Sequence, residues 1–426
     1  MSGIVARERV IWIVSEVFYP EETSTGHYMT RIAAGLSKTC RVKAICARPT
    51  YSRRGTRVPS HETWQGIEIF RCWSTALNKN VLPLRLVNLV TVTLGIFAVA
   101  LRCFRRGDAV LVVTNPPSLP FLVYLAARMR GARCVLRVDD LYPEAMIIAG
   151  LVRNKGLTAR LVNAATRWLY SRMSAIVVLG RDMAHRVHTK AHLAASRVVV
   201  IPNWSDSDEV RPALGARNAL LLGLGLQTKF VVGYAGNLGP LQGIPFLVDC
   251  AEHLRGDTEV QFLFVGSGKM VPWLKEQISA RDLSNITVVG QRPRSEQNDF
   301  LNACDVGLVS LVPGMAGVGV PSRSYNLLAA GKPILACVET DSEIAQLIVD
   351  ERVGWIVAPG DHGAFRKAVL AAKADRPSLI EMGRRARSAA EGKYSFETII
   401  RRYEQVLVAP LPSGSRSEAG VVSSSL

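Results

Sequence analysis

Short apolar runs alternate with amphipathic stretches along almost the whole chain. Runs typical of buried strands lie near residues 10–15, 42–47, 109–114, 133–138, 175–179 and 197–201, and again near 230–235, 260–265, 286–289, 305–310 and 334–338. Patterns typical of helices lie between them, including 27–38, 84–104, 118–130 and 157–172. The alternation predicts β-α-β construction with parallel sheets, and therefore an α/β fold.

A stretch with several Pro and Gly residues at 202–228 separates the two groups of runs. We therefore expect one domain at 1–205 and another at 206–394, followed by a helix at 395–409. Residues 410–426 are rich in Ser, Gly and Pro and predict a disordered tail. Two domains with parallel sheets leave a cleft at the carboxyl ends of their strands, where ligands bind.

One segment of the second half predicts an anion site. Pro321 and Ser322 start a predicted helix that stops at Gly331, and a loop containing Gly319 precedes it. Free N–H groups at the start of a helix attract anions, and Arg323 adds a positive charge there. An ordinary loop–helix–strand unit of an α/β core has the same pattern, so both interpretations stay open.

A glycine-rich turn follows the strand predicted at 230–235. It contains Gly236, Asn237 and Gly239, and Gln242 comes just before an amphipathic helix. Such a turn lets the backbone approach a phosphate. Its spacing is not that of the dinucleotide-binding fingerprint, so the turn alone is a weak indication.

Together with the segment at 319–333, this turn resembles the nucleotide-sugar half of glycosyltransferase family 4, which has the GT-B fold of two facing Rossmann-like domains. Four more segments resemble the family in the family's own order: 16–27, 108–117, 139–144 and 201–206. Asp-Asp-Leu-Tyr-Pro-Glu at 139–144 is similar to the signature of a branch of bacterial polysaccharide enzymes that resemble fucosamine transferases. The resemblance implies an acceptor-side first domain, a donor-binding second domain, a last helix that crosses back to the first, and sugar transfer with retention of configuration.

The resemblance also implies catalytic candidates. Asp140 would contact the sugar or the acceptor hydroxyl, and His27, beside Gly26 near the donor phosphates, and Glu144 are further candidates. Each has a structural interpretation as well. Asp140 would then cap a backbone turn, His27 would start a helix with a solvated imidazole, and Glu144 would be a charge in the first turn of a helix.

The donor would be bound by two groups of residues that match the family's motifs. They are Gly236, Asn237, Gly239 and Gln242 of the turn, and Gly319, Val320, Ser322, Arg323 and Asn326. Asn237 and Gln242 are uncharged where relatives carry Arg and Lys, so Arg323 would carry more of the diphosphate charge. The family's Glu-x7-Glu motif corresponds to Val318 and Asn326, so a ribose would meet an amide oxygen in place of a carboxylate.

The predicted chemistry uses neither a metal nor a cofactor. Positive charge and fixed N–H groups stabilise a leaving diphosphate by themselves, and no His-Glu-x-x-His spacing is present. The eight cysteines are scattered without a Cys-x-x-Cys pair, which favours buried, reduced thiols in a cytosolic protein.

The net charge of +17 lies entirely in the first half of the chain. Residues 1–206 contain 29 Lys and Arg against 12 Asp and Glu, whereas residues 207–426 contain 23 of each. An anionic membrane surface or a lipid diphosphate would explain this excess, and a solvated arginine-rich surface is the alternative. Nucleic acid is not expected, because no recognised binding module or pattern of stacking aromatics is present.

An uncharged run of sixteen residues, 86–101, is bracketed by Arg85 and by Arg102, Arg105 and Arg106. As a helix it would extend for roughly 24 Å, short of the ~30 Å hydrocarbon core. This length predicts docking at the membrane interface, on the inner face of the plasma membrane, and a buried crossover helix is the alternative.

We therefore expect a cytoplasmic, peripheral-membrane glycosyltransferase. Its donor would be UDP-linked, such as an N-acetylhexosamine, and its acceptor a polyprenyl-diphosphate-linked saccharide. Two alternatives stay open: a sugar-nucleotide epimerase of the same fold, which needs no acceptor, and a non-catalytic binding protein that has lost the two motif glutamates.

Overall fold

The protein is described by a computed structural model for residues 9–49, 56, 58–77, 81–213 and 218–409. The tail predicted at 410–426 lies outside these residues. Two largely parallel sheets, one from each half of the chain, organise the described part of the molecule.

The first sheet has eight strands: β1 (Val10–Val14), β2 (Arg41–Ala47), β3 (His61–Trp64), β4 (Ile67–Cys72), β5 (Ala109–Val113), β6 (Arg133–Val138), β7 (Ala175–Val178) and β8 (Val198–Val200). Their spatial order is β3-β4-β2-β1-β5-β6-β7-β8, and only β3 runs antiparallel to its neighbour. The order reverses its direction at β1, which pairs with both β2 and β5. Such a switch point opens a crevice at the carboxyl ends of the strands.

Six helices accompany this sheet: α1 (Ser24–Leu36), α2 (Leu82–Cys103), α3 (Leu119–Arg130), α4 (Glu144–Ile148), α5 (Leu157–Tyr170) and α6 (Arg181–Ala191). Buried side chains of α1 form a core on one face of the sheet. Those of α2, α3, α5 and α6 form a core on the other face, because the strands alternate which side each residue faces.

The second sheet has six parallel strands in the order β11-β10-β9-β12-β13-β14. They are β9 (Phe230–Ala235), β10 (Val260–Val265), β11 (Ile286–Val289), β12 (Val306–Ser310), β13 (Ile334–Cys337) and β14 (Gly354–Val357). Its helices are α7 (Ala219–Leu224), α8 (Ile244–Glu252), α9 (Val271–Ala280), α10 (Gln297–Asn302), α11 (Arg323–Ala329), α12 (Glu343–Glu351), α13 (His362–Ala374) and α14 (Arg376–Glu391).

The last helix, α15 (Phe396–Val408), returns to the first sheet and packs on α1. The linker between the domains runs beside its start, where the Ser205 amide donates to the Tyr394 carbonyl at 2.9 Å. Trp204 of the linker is fully buried between Tyr28 and Phe396. The linker at 204–206 and the segment leading into α15 therefore cross between the domains side by side, and we call this place the hinge.

The strands that the sequence predicts are all present, but three more exist. β3 and β4 form a hairpin at one edge of the first sheet, and β14 is an edge strand of the second. Half of the residues of β3 are exposed and three of its four side chains are polar, so it lacks the apolar run that marks a buried strand. β14 has only four residues and begins with a glycine.

The helix predicted at 84–104 is present, but the expectation that its uncharged run is too short to span a membrane was wrong. α2 has 22 residues, about 33 Å at 1.5 Å per residue, and it is long and apolar enough to cross a membrane. Because a helix continues through charged residues such as Arg85 and Arg102, the uncharged run alone gave too short a helix. Ile96 and Ala100 are nevertheless buried against the domain, and Asn88 bonds the backbone of Leu77. α2 is therefore a packed crossover helix with one exposed side.

Gly35 sets the distance between α1 and α15. A Cβ at this position would lie 2.7–3.0 Å from three carbons of Ile400. We expect Gly35→Ala to lower the free energy of unfolding by about 1–3 kcal/mol through this overpacking. Urea unfolding measures the change, and in an Ile400→Ala background Gly35→Ala should cost less, because the clashing carbons are absent.

Gly363→Ala is the matched control, since Gly363 also lies in a helix and its closest neighbour would be 3.6 Å from the new Cβ. It should gain up to about 1 kcal/mol from helix propensity. Equal effects of the two substitutions would show that α15 does not pack tightly at Gly35.

Candidate active site

The two domains touch where the loop after β6 meets the loop before α11. Asp140 and Gly319 form an antiparallel bridge, and the Leu141 amide donates to the Val318 carbonyl at 2.8 Å. A Cβ at position 319 would lie 2.9 Å from Asp140 Oδ1, so any larger residue there would displace the Asp140 carboxyl. Two segments singled out in the sequence, 139–144 and 319–333, are thus brought together.

Asp140 sits in this contact as a largely buried carboxyl. Burial raises its pKa to about 6, and the negative charge of Asp139 beside it acts in the same direction. A carboxyl with that pKa exchanges a proton close to neutral pH. Of the predicted catalytic residues, Asp140 has the environment most typical of a functional site.

Arg137 anchors the loop that carries Asp140. Its guanidinium donates to Asp139 at 2.7 Å, to Asn203 at 2.9 Å and to the hydroxyl of Tyr403. The sequence analysis missed this network. Its only signal was an arginine in the middle of an apolar strand, where a charge needs a buried partner.

His27 lies in a second buried cluster, at the hinge. Its Nε2 is 3.6 Å from Asp206, which also accepts from Trp204 Nε1 at 3.0 Å and from Arg294. Burial lowers the pKa of His27, so the imidazole is neutral at pH 7. Although burial by itself raises the pKa of Asp206, His27 and Arg294 hold it well below the usual range.

The contacts of Gly26 and Glu144 stabilise the fold of the first domain. A Cβ at Gly26 would lie 2.9 Å from the Glu21 carbonyl, and the Gly26 amide donates to Thr23, which caps α1. Both carboxylate oxygens of Glu144 accept from Lys190 at 2.9 Å. The structure thus places Glu144 in an ion pair of the first domain, in the first turn of α4.

On the donor side, the glycine turn and the start of α11 meet as predicted from the motifs. The Arg323 guanidinium lies 4.2 Å above the Tyr234 ring and donates to Gln242. A Cβ at Gly236 would be 3.6 Å from its Cζ. One terminal nitrogen of Arg323 is shielded from solvent and has no hydrogen-bond partner among the described residues. The guanidinium of Arg323 thus lies beside the turn, with one donor left uncompensated among the described residues.

The rest of the turn is held by the side chains of Tyr234 and Asn237. The Tyr234 hydroxyl donates to the Asn237 carbonyl at 2.7 Å, and Gly239 packs against the Asn237 side chain, since a Cβ there would be 2.9 Å from its amide nitrogen. Asn237 therefore shapes the turn.

Helix α11 contributes less dipole than the sequence suggested, because it has only seven residues and Ser322 caps no amide with its side chain. The Ser322 hydroxyl instead interacts with the Tyr28 hydroxyl of α1 across the cleft. Val320 is buried, and Asn326 Oδ1 is shielded without a partner in the described part of the chain. An oxygen in that state suits a ligand hydroxyl.

Val318 is fully buried in the core that joins both domains, so the first motif glutamate has no counterpart at its position. Glu339, which follows β13, reaches the same loop and accepts from the Ala316 amide at 2.9 Å. Sequence reasoning missed this carboxylate because it lies outside the motif.

Comparisons with known proteins agree with this architecture. The first half matches the family model described as glycosyl transferase 4-like domain over residues 24–204. The second half matches the model described as glycosyl transferases group 1 over residues 229–375. The chain is 33% identical over 312 residues to the probable glycosyltransferase WbjE of Pseudomonas aeruginosa, covering 73% of this chain and 77% of that protein.

The chain belongs to glycosyltransferase family 4. It is also 26% identical over 349 residues to WcaI of Escherichia coli (strain K12), a putative colanic acid biosynthesis glycosyl transferase, covering 78% of this chain and 83% of that protein. Family membership favours a transferase over an epimerase or a non-catalytic binding protein.

The fold is GT-B. The sucrose-phosphate synthase of Thermosynechococcus elongatus superposes with a TM-score of 0.74 at 15% identity, covering 94% of this chain and 98% of that one. HepE of Anabaena, solved with UDP-glucose, has a TM-score of 0.71 at 16% identity, covering 94% and 99%. Among the described residues of the glycosyltransferase, no group of His, Cys, Asp or Glu could hold a metal ion.

Because the pKa of Asp140 is raised by folding, the free energy of unfolding should depend on pH. The carboxyl has a pKa of about 6 in the folded enzyme and about 3.9 unfolded. Below about pH 3.9 both states are protonated, and above about pH 6 the buried charge destabilises the fold. We expect Asp140→Asn to be more stable than the wild type by about 2–3 kcal/mol at pH 8, with the gap closing toward pH 4.

Urea unfolding of both proteins across this pH range measures the gap. A difference that does not change with pH would show that the carboxyl titrates normally and is not desolvated.

Proposed function

We propose that this glycosyltransferase moves a sugar from a UDP-linked donor to a polyprenyl-diphosphate-linked saccharide, with retention of configuration, in the assembly of a bacterial surface polysaccharide. The observation that carries the proposal is Arg323, a half-buried arginine that packs beside the glycine turn, close to the domain contact, and keeps one shielded nitrogen without a partner among the described residues. The UDP-glucose bound to HepE and the colanic acid named for WcaI support the donor and the pathway class.

The residues divide the work between the two domains. In the second domain, Arg323 and the amides of the glycine turn stabilise the departing diphosphate, because their positive charge and N–H dipoles balance its negative charge. Asn326 Oδ1 accepts from a hydroxyl of the nucleoside ribose. In the first domain, Asp140 holds a sugar or acceptor hydroxyl at the contact between the domains, and neutral His27 supports the hinge through Asp206.

The acceptor side is proposed to face an anionic membrane on its cytoplasmic side. The basic excess of the first half fits an anionic surface, and one side of α2 exposes Leu86, Val90 and Leu94. A lipid-linked acceptor would be reached from such a surface. The enzyme would then be peripheral, since the other side of α2 packs on the domain.

Arg323→Ala tests the donor site. Because Asn237 and Gln242 are neutral, losing the guanidinium should lower kcat/KM for the native donor by about 10²–10³-fold. Transfer is assayed with a panel of UDP-, GDP- and dTDP-sugars in the presence of EDTA. Arg292→Ala is the matched control, because Arg292 is an exposed arginine that pairs with Glu296. A loss within about threefold for Arg323→Ala would contradict its role.

Asp140→Asn separates catalysis from donor binding. We expect transfer to fall by at least about 10²-fold while the Kd for UDP stays within about threefold, because Asp140 belongs to the acceptor domain. Calorimetric UDP binding and a transfer assay with lipid-linked saccharide measure the two effects. Full activity of this variant would remove Asp140 from the site, and failure to bind any nucleotide sugar would contradict the proposed function itself.

A further inference from the structure

Three neighbouring helices, α2, α3 and α5, form an outer layer on the first sheet that contains no acidic residue. α2 packs on α3, and Trp168 of α5 contacts Phe121 and Tyr124 of α3, with ring centroids 6.4 and 5.7 Å apart. Their sequences include no Asp or Glu but six arginines: Arg85, Arg102, Arg128, Arg130, Arg160 and Arg167. This layer is therefore a source of the basic excess.

The same layer carries much of the exposed apolar surface. Half of the eighteen large hydrophobic residues that are exposed in the described part of the chain lie on these three helices: Leu86, Val87, Val90, Leu94, Leu125, Met129, Leu157, Leu161 and Trp168. Soluble proteins rarely expose apolar patches of this extent unless a partner or a membrane covers them.

A groove of about 520 Å³ lies between α5 and α6 at the side of this layer, and Ala191 of α6 also lines it. Arg160, Asn163, Arg167 and Ser171 line it at intervals of three or four residues, so they share one face of the helix. Trp168 forms its rim, with the Arg172 guanidinium 4.4 Å above its ring. Among the described residues, no carboxylate pairs with Arg160 or Arg167, so the groove presents uncompensated charge and amide and hydroxyl donors.

We propose that this groove binds the phosphate headgroup of an anionic phospholipid and that the α2–α3–α5 layer is the face that docks on the bilayer. Guanidinium groups match phosphate oxygens in shape and charge. The exposed leucines and Trp168 beside them suit the boundary between headgroups and acyl chains, which a free phosphate would not need. The inference rests on the proposed function, since it gives that enzyme its orientation on the membrane.

The orientation follows from the topology. The layer covers one face of the first sheet, and the cleft opens at the carboxyl edge of the same sheet. Leu86 and Leu157 lie near the starts of α2 and α5, toward that edge, because α2 follows β4 there and α5 follows β6 after the short helix α4. Docking through this face therefore brings the cleft beside the membrane surface, where a lipid-linked acceptor is found.

Vesicle sedimentation of the full chain tests the groove. Wild type should bind phosphatidylcholine vesicles containing phosphatidylglycerol and bind pure phosphatidylcholine weakly. Arg160→Glu with Arg167→Glu should weaken binding to the anionic vesicles by about thirtyfold or more, since each basic contact near the surface contributes about a factor of five or more. Leu161→Gln should weaken the part of the binding that high salt leaves.

The matched control reverses the same charge elsewhere. Arg366→Glu with Lys367→Glu lies on the exposed side of α13 in the second domain and should change vesicle binding by no more than about threefold. Equal losses in both pairs would mean that only the overall charge matters, and the groove would be refuted. Release of wild type by inorganic phosphate, at matched ionic strength, would assign the groove to a free anion and also overturn the proposal.

Measuring UDP binding of the variants distinguishes failure of the docking proposal from failure of the proposed donor site. The groove variants should retain the Kd for UDP, which also shows that they fold. If the wild type binds UDP but does not bind anionic vesicles, the proposed docking face is refuted and the proposed donor site is unaffected.

Discussion

The contact between Asp140 and Gly319 is the constraint on which the active site depends. Hydrogen bonds of the backbone join the loop after β6 to the loop before α11, and a side chain at 319 would displace the Asp140 carboxyl. Around it, Leu141 and Val318 are fully buried and make one apolar core continuous between the domains. The acceptor-side carboxyl and the donor-side arginine are therefore held in one cleft by packing.

Three groups of arginines in the protein have different surroundings. Arg137 is enclosed by Asp139, Asn203 and Tyr403, so its charge is used to fix a loop. Arg323 packs beside the glycine turn and keeps one nitrogen without a partner in the described part of the chain, which suits a diphosphate. The arginines of α2, α3 and α5 lie on the surface without acidic residues on the same helices. Positive charge thus serves positioning, donor binding and docking in three separate places.

Much of this could be predicted from the sequence, because parallel strands are apolar runs and motif spacing fixes which loops meet at the cleft. The proximity of Arg323 to Gly236 followed from the motifs alone. The network of Arg137 with Tyr403 could not be predicted, since it joins residues 266 positions apart and depends on the return of α15. The ion pair of Glu144 with Lys190 and the Asp206 cluster at the hinge likewise depend on packing between elements that no local pattern records.

The measurement that tests the central claim most directly is hydrogen–deuterium exchange with and without a bound UDP-sugar. If the cleft holds the donor as described, protection should rise in three segments together: the turn at 236–243, the loop and helix at 319–329, and the acceptor-side loop at 139–141. Protection confined to other surfaces, or to the second domain without the loop at 139–141, would contradict the account that both sides of the Asp140–Gly319 contact form one site.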